Sequence, residues 1–192
     1  MYVRDAKNRD EVWLLDHIEA MGVDEASFRS RDYVVAVDEA AGERVGFGRL
    51  RVHRTDAGET CELTGIGVLD GWRRQGVGAH VVERLVTYAT DDGFETVYAV
   101  ATAPDWLSEF GFEAVPTADL PPVLVDRLDA KRETVDPDVV AMRAAVDAVM
   151  IPDRLRERFK RAAAEDEEPT DETSAEEFGI DPDRATYKYD VR

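Results

Sequence analysis

The chain predicts an α/β fold built on a mixed, mostly antiparallel sheet flanked by helices, with an acidic tail after it. Three stretches carry that prediction. Residues 33–69 read as successive strands broken at glycine turns. After them, "GAHVVERLVTYATDDG" has the apolar spacing of an amphipathic helix, and "TVYAVAT" is an almost continuous apolar run, the pattern of a strand buried on both faces. A strand, helix, strand order with a helix of that length implies one parallel crossover within the sheet.

Taken in order, residues 10–21 place Val12, Leu15, Ile18 and Met21 at helical spacing before Gly22, a stop signal. Strands follow at Tyr33 to Val37, Val45 to Arg54 and Thr60 to Leu69, with Gly42 and Gly58 in the turns. In the next helix Val77, Val81, Val82, Leu85, Val86 and Ala89 share one face, and Asp91-Asp92-Gly93 ends it. "PDWLSEFGFEAV" predicts a short helix closed at Gly111 and a strand beginning near Phe112. Residues 119–132 predict a helix with prolines in its first turn, "DPDVVAMRAAV" a last strand, and "PDRLRERFKRAAAE" a helix. The organisation is one domain over 1–150, a C-terminal helix over 151–164, and an acidic, flexible tail over 165–192. Residues 165–183 hold ten acidic residues and no basic one.

Composition narrows the function. The 192 residues suit one domain with a sizeable core. Acidic residues number 42 against 24 basic, giving a net charge of −18, a surface that repels a polyanion. Nucleic-acid binding is therefore not expected, since that affinity comes largely from cations neutralising phosphates. Abundant acid with only four lysines predicts a halophilic protein whose self-repulsion is screened in concentrated salt; refolding in low against molar KCl separates this from an ordinary acidic protein. Cys61 is the single cysteine, which excludes an internal disulfide and a cysteine-rich metal site. His17, His53 and His80 share no ligand spacing, so no metal is expected. With no apolar signal core and no membrane-length apolar run, the expected location is cytoplasmic, away from membranes.

The informative motif is "RRQGVG", Arg73-x-x-Gly76-x-Gly78, set between a strand and an apolar-faced helix. Glycines let backbone approach a ligand closely, and the first N–H groups of a helix converge on an anion with the helix dipole behind them. Arg73 and Arg74 add local positive charge to a repulsive surface. A tight strand-to-helix turn with solvent-facing arginines is the alternative reading of the same residues. No nucleoside triphosphate loop is present, and "GIGVLDG" mimics a dinucleotide turn only loosely.

The antiparallel strand elements, "IGVLDGWRRQGVGAHVVERL", the strand "TVYAVAT" and the short helix ending in "EFGFEAV" together resemble the GNAT N-acetyltransferases over about residues 1–150. The resemblance implies acetyl-CoA as cosubstrate, with its pyrophosphate on backbone amides of Gln75, Gly76, Val77, Gly78 and Ala79 beside Arg73 and Arg74. It places the pantetheine arm between the fourth and fifth strands, against backbone at Ile66, Gly67 and Val68. The physical reading agrees, because an unpaired strand end accepts an extended, amide-bearing arm as another strand. Glu62, eleven residues before Arg73, stands where histone-acetylating members carry their glutamate base; the alternative is a solvated strand residue.

Two positions depart from the family pattern. Leu107 stands where many members have a tyrosine that protonates the departing thiolate, leaving Ser108 or solvent for that role. Ala103-Pro104 replaces an asparagine often found after the fifth strand. "ATAPDWLSEFGFEAV" and the "DLPP" helix resemble N-acetylglutamate synthase-like members, which favours a small-molecule amine acceptor over a protein lysine or N-terminus. A noncatalytic acyl-CoA sensor and a homodimer both stay open. Trp106 is expected at the acceptor pocket, His80 on the helix surface, and Cys61 as a small buried hydrophobe on the face opposite Glu62.

Overall fold

The computed structural model describes residues 1–23 and 27–163, so the tail assigned to 165–192 lies outside the described residues. One sheet contains β1 (Tyr2–Asp5), β2 (Tyr33–Val37), β3 (Arg44–Thr55), β4 (Gly58–Val68), β5 (Thr96–Ala101), β6 (Glu113–Ala114) and β7 (Val140–Ala145). The strand order is β1-β2-β3-β4-β5-β7-β6, and every neighbouring pair is antiparallel except β4 and β5. The helices are α1 (Glu11–Ala20), α2 (Val77–Asp91), α3 (Pro104–Ser108), α4 (Pro122–Thr134) and α5 (Asp153–Arg161).

Alternation along the strands sends two sets of side chains to opposite faces. Val34, Ala36, Val45, Leu50, Leu63, Val97 and Ala99 meet the buried stripe of α2, Val81, Val82, Leu85 and Ala89, in the largest core cluster. The intervening residues Val35, Val37 and Phe47 pack with Leu14 and Ile18 of α1. Val100 and Ala141 pack with Leu128 of α4. The second face is thus covered at its two flanks by α1 and α4. Cys61 belongs to the α2 core, and burial pushes its thiol up to about 12, so it behaves as an inert hydrophobe.

The expected buried face of the first helix is corrected. In α1 the buried pair is Leu14 and Ile18, while Val12 is 71% exposed. Trp13, next to Leu14 in the chain, meets Phe47 edge-on at 5.9 Å. The strand predicted over "DPDVVAMRAAV" is β7, the last in sequence, and it lies inside the sheet between β5 and β6. The strand expected near Phe112 is only Glu113–Ala114. β1 was not foreseen: only four residues long, it has half-buried Val3 and Arg4 between exposed ends, and no alternation distinguishes it.

Asp10 ties the sheet's first edge to α1. It is fully buried; its carboxylate accepts from Arg4 Nη1 at 2.7 Å, the Lys7 N–H at 2.8 Å and Arg44 Nε at 2.6 Å. Burial alone would raise its pKa, but the bonds from Arg4, Lys7 and Arg44 outweigh that and hold it well below the usual carboxylate range. A depressed folded-state pKa contributes stability above the unfolded value near 4, lost as pH falls toward the folded value. Asp10→Asn is expected to cost about 2–4 kcal/mol at neutral pH. In thermal melts from pH 7 to 3, the gap to wild type should narrow below about pH 4.

Candidate active site

β4 and β5 pair only at Glu62↔Tyr98 and Leu63↔Ala99. Beyond those rungs β4 stays with β3, and β5 stays with β7. The separation has a local cause. Between Phe47↔Gly67 and Arg49↔Thr64, β4 carries one more residue than β3, with Gly65 at φ 56. Such a bulge bends its strand and increases its twist. The resulting wedge opens into a cavity of about 870 Å³ lined by Thr64, Ile66 and Val68 on one side and Val100, Ala101 and Thr102 on the other.

At one end the cavity reaches Arg73, Arg74, Gly76, Val77, Gly78 and Ala79. Gly76 caps α2 at φ 82, in the left-handed region. The N–H groups of Val77, Gly78 and Ala79 form the first turn and so have no intrahelical acceptor. Arg73 is exposed, with Nε donating to the Val68 carbonyl at 3.2 Å and Nη2 paired with Asp70 at 2.9 Å. Arg74 also sits at positive φ, 60, a strained setting for a side chain with a Cβ. Of the strand residues expected to meet the pantetheine arm, Ile66 and Val68 line the cavity, whereas Gly67 does not, and a Cβ added there would run into the Phe47 ring and Met21.

The Gln75 side chain does other work. It donates to Gly71 O at 3.1 Å and Ala163 O at 2.9 Å, and accepts from the Ala163 N–H at 3.0 Å. Arg158 donates to the Arg74 carbonyl at 3.2 Å, and Phe159 stacks on His80 at 3.8 Å. His80 is consequently half-buried rather than on an open helix surface, and burial lowers its pKa. The helix α5 therefore braces the glycine corner from behind. Removing the clasp by Gln75→Ala is expected to cost about 1 kcal/mol. Amide hydrogen exchange across residues 153–163 should accelerate severalfold.

Glu62 is fully buried, which sets aside the solvated alternative. One of its oxygens lies 2.7 Å from His53 Nε2 and 2.7 Å from Arg127 Nε; the other accepts from Arg127 Nη2 at 3.0 Å. Burial would raise its pKa, yet the bonds from His53 and Arg127 prevail and its pKa is lowered. Arg127, on α4, also lines the large cavity. Sequence reasoning missed Arg127 and His53. A signal for His53 was present in "RLRVHR", where Arg49, Arg51 and His53 occupy alternate positions of a strand.

Trp106 lines the cavity beside Gly78 and meets Phe110 edge-on at 4.9 Å. Leu107 is buried in the cavity wall, with no hydroxyl at that point. Ser108 is not a wall residue: its exposed hydroxyl donates to Pro104 O at 3.1 Å. Among the described residues no group of three or more histidine, cysteine, aspartate or glutamate side chains could hold a metal, and no helix is long and apolar enough to cross a membrane.

Comparison with known proteins follows the same lines. Residues 3–112 match the model of the acetyltransferase (GNAT) family. Among solved structures, N-acetylglutamate synthase from Neisseria gonorrhoeae, determined with coenzyme A and N-acetyl-glutamate, superposes at TM-score 0.60 and 16% identity over 75% of this chain and 34% of that one. This chain thus spans about a third of the gonococcal enzyme's length. A Mycobacterium tuberculosis protein solved with CoA gives TM-score 0.60 and 18% identity, covering 76% and 99% of the two chains. A GNAT-family acetyltransferase from Staphylococcus aureus gives 0.53 and 14%, covering 75% and 98%. At these identities the likeness is one of fold. No curated protein sequence matches the chain significantly. The matched segment runs from β1 through the glycine corner to Phe112 and so contains the wedge and its helix N-terminus: the chain belongs to the acetyltransferase (GNAT) family.

Proposed function

We propose that the protein transfers an acetyl group from acetyl-CoA to the primary amine of a small metabolite or amino acid. The observation that carries this reading is the single cavity joining the glycine corner of α2 to the wedge between β4 and β5, with buried Glu62 at the rung where the wedge begins. The residues fit the cosubstrate. Helix N–H groups and Arg73 and Arg74 suit a pyrophosphate. The strand edges at Ile66 and Val68 suit an extended amide-bearing arm, and the Thr64 hydroxyl is buried with no partner among the described residues.

Acetyl-CoA, when bound, supplies an activated thioester. The acceptor nitrogen attacks its carbonyl carbon, the C–N bond forms, the C–S bond breaks, and the nitrogen gives up one proton. Glu62, held as a carboxylate by His53 and Arg127, receives that proton through an intervening water, since the carboxylate itself is fully enclosed. With Leu107 in the wall and Ser108 outside it, the departing thiolate takes its proton from solvent. The test is release of CoA thiol from acetyl-CoA on adding amines, followed by mass analysis of the acetylated product. Saturable, amine-dependent release is the expected result. Tight acetyl-CoA binding without release on any small amine or peptide amine would instead make the protein a sensor.

A further inference from the structure

We infer that Thr64 is a positioning residue for the transfer reaction: its hydroxyl holds the water that carries the acceptor's proton to Glu62. That role rests on the acetyl-transfer reading and deepens it, because it fills the gap between the reacting nitrogen and an enclosed base. Thr64 is the first residue of β4 past the last rung it shares with β5, Leu63↔Ala99, so it stands where the wedge opens. Against β3 the ladder is still regular here, with Arg49↔Thr64, Leu50↔Leu63 and Arg51↔Glu62, and the bulge begins only after Thr64. Glu62 and Thr64 therefore share one face of the sheet, while Leu63 between them joins the α2 core. Thr64 is 4% exposed, and its hydroxyl has no hydrogen-bond partner among the described residues. A buried hydroxyl left unsatisfied costs free energy, and one that a fold keeps is accounted for by a ligand or an ordered water that completes it.

Thr64 lines the same cavity as the glycine corner and as Arg127, the residue that grips Glu62. Thr102 and Thr134, the other threonines of that wall, are exposed. From the glycine corner inward, β4 presents Val68, Ile66 and then Thr64 to the cavity, with Glu62 two residues further on. An extended arm running down this edge brings its reactive end to Thr64 before Glu62. Two strand residues cover about 6–7 Å, a gap that one water bridges with two O–H···O bonds of about 2.8 Å each. Among the described residues Glu62 Oε1 accepts one bond, from Arg127 Nη2 at 3.0 Å, and so has room for that water. As the C–N bond forms, the water takes the nitrogen's proton on one lone pair and passes one of its own to Glu62. Its other lone pair accepts from the Thr64 hydroxyl, which neither gains nor loses a proton. Three polar partners are what a buried water usually has.

The test pairs Thr64→Val, which removes the hydroxyl at nearly constant shape, with Thr64→Ser, which restores it. Turnover is read as thiol release at saturating acetyl-CoA, with the most active acceptor among the standard L-amino acids and butylamine. Thr64→Val is expected to lower kcat at least about tenfold and Thr64→Ser to recover most of the loss, while calorimetric acetyl-CoA affinity changes less than about twofold in both. Because the hydroxyl has no protein partner to lose, the melting temperature of Thr64→Val should equal or exceed that of wild type. Thr64→Val combined with Glu62→Gln should turn over no more slowly than Glu62→Gln alone, since Thr64 acts only through Glu62. Losses that multiply in the double variant would move the hydroxyl to the thioester carbonyl, and a fall in acetyl-CoA affinity would move it to the pantetheine arm. A lowered melting temperature in Thr64→Val would make it a structural bond. Each of these results overturns the inference. Wild-type release left undiminished by Thr64→Val contradicts this inference alone, whereas no release by wild type with any of these amines contradicts the transfer reading and the relay with it.

Discussion

Gly76→Asp is expected to abolish acetyl-CoA binding and to destabilise the protein by about 2–5 kcal/mol, the sum of a left-handed backbone setting and overpacking. A Cβ at this position would lie 2.3 Å from the Leu155 carbonyl oxygen and 3.3 Å from the Phe159 Cβ, both on α5. The clash is with backbone, which cannot swing away, and the added carboxylate would stand among the helix N–H groups and two arginines of the proposed pyrophosphate site. Gly78→Asp separates the two effects. Gly78 lies in the first turn of α2 with no positive φ, and a Cβ there meets side chains alone, the Trp106 ring at 3.1 Å and Val68 at 3.5 Å. It should lose binding with a smaller drop in melting temperature. Calorimetry on protein shown to be folded by near-ultraviolet circular dichroism checks both.

Glu62→Gln should lower turnover by at least about a hundredfold, the usual contribution of a positioned base, while acetyl-CoA affinity stays near wild type. Its stability cost is expected to be about 3 kcal/mol, because the change leaves Arg127 and His53 beside a neutral amide in a buried setting. Since the lowered Glu62 pKa places its stabilising charge above the usual carboxylate range, wild type and variant should converge in melting temperature as pH falls through 4. Steady-state thiol release with acetyl-CoA saturating, together with melts over the same pH range, measures both parts. Unchanged kcat in the folded variant would remove Glu62 from the chemistry and leave it as a structural ion pair.

These effects mark what the sequence could and could not reveal. The α2 stripe from Val77 to Ala89 was legible because it is local: spacing alone decides which side is apolar, and all six residues named for that face are buried. The glycine corner was legible for the same reason, as strand, glycines and helix follow one another in the chain. The wedge was expected only through the family resemblance, because it arises from a bulge at Gly65 whose partner strand is fixed by tertiary pairing. The bracing of Gly76 by Leu155, which joins residues 79 positions apart, was not legible. Glu62 was named as a candidate from its position. Its partner Arg127, 65 residues away on a helix that also carries Asp126, Asp129, Lys131, Arg132 and Glu133, had no local mark.

The most direct measurement is a calorimetric titration of acetyl-CoA into the wild-type protein in molar KCl, with Gly78→Asp alongside. Saturable one-to-one binding that the variant loses is the predicted result, and it would place the cosubstrate on the glycine corner. Folded wild-type protein that takes up no acetyl-CoA would contradict the central claim, reducing "RRQGVG" to a tight turn braced by α5.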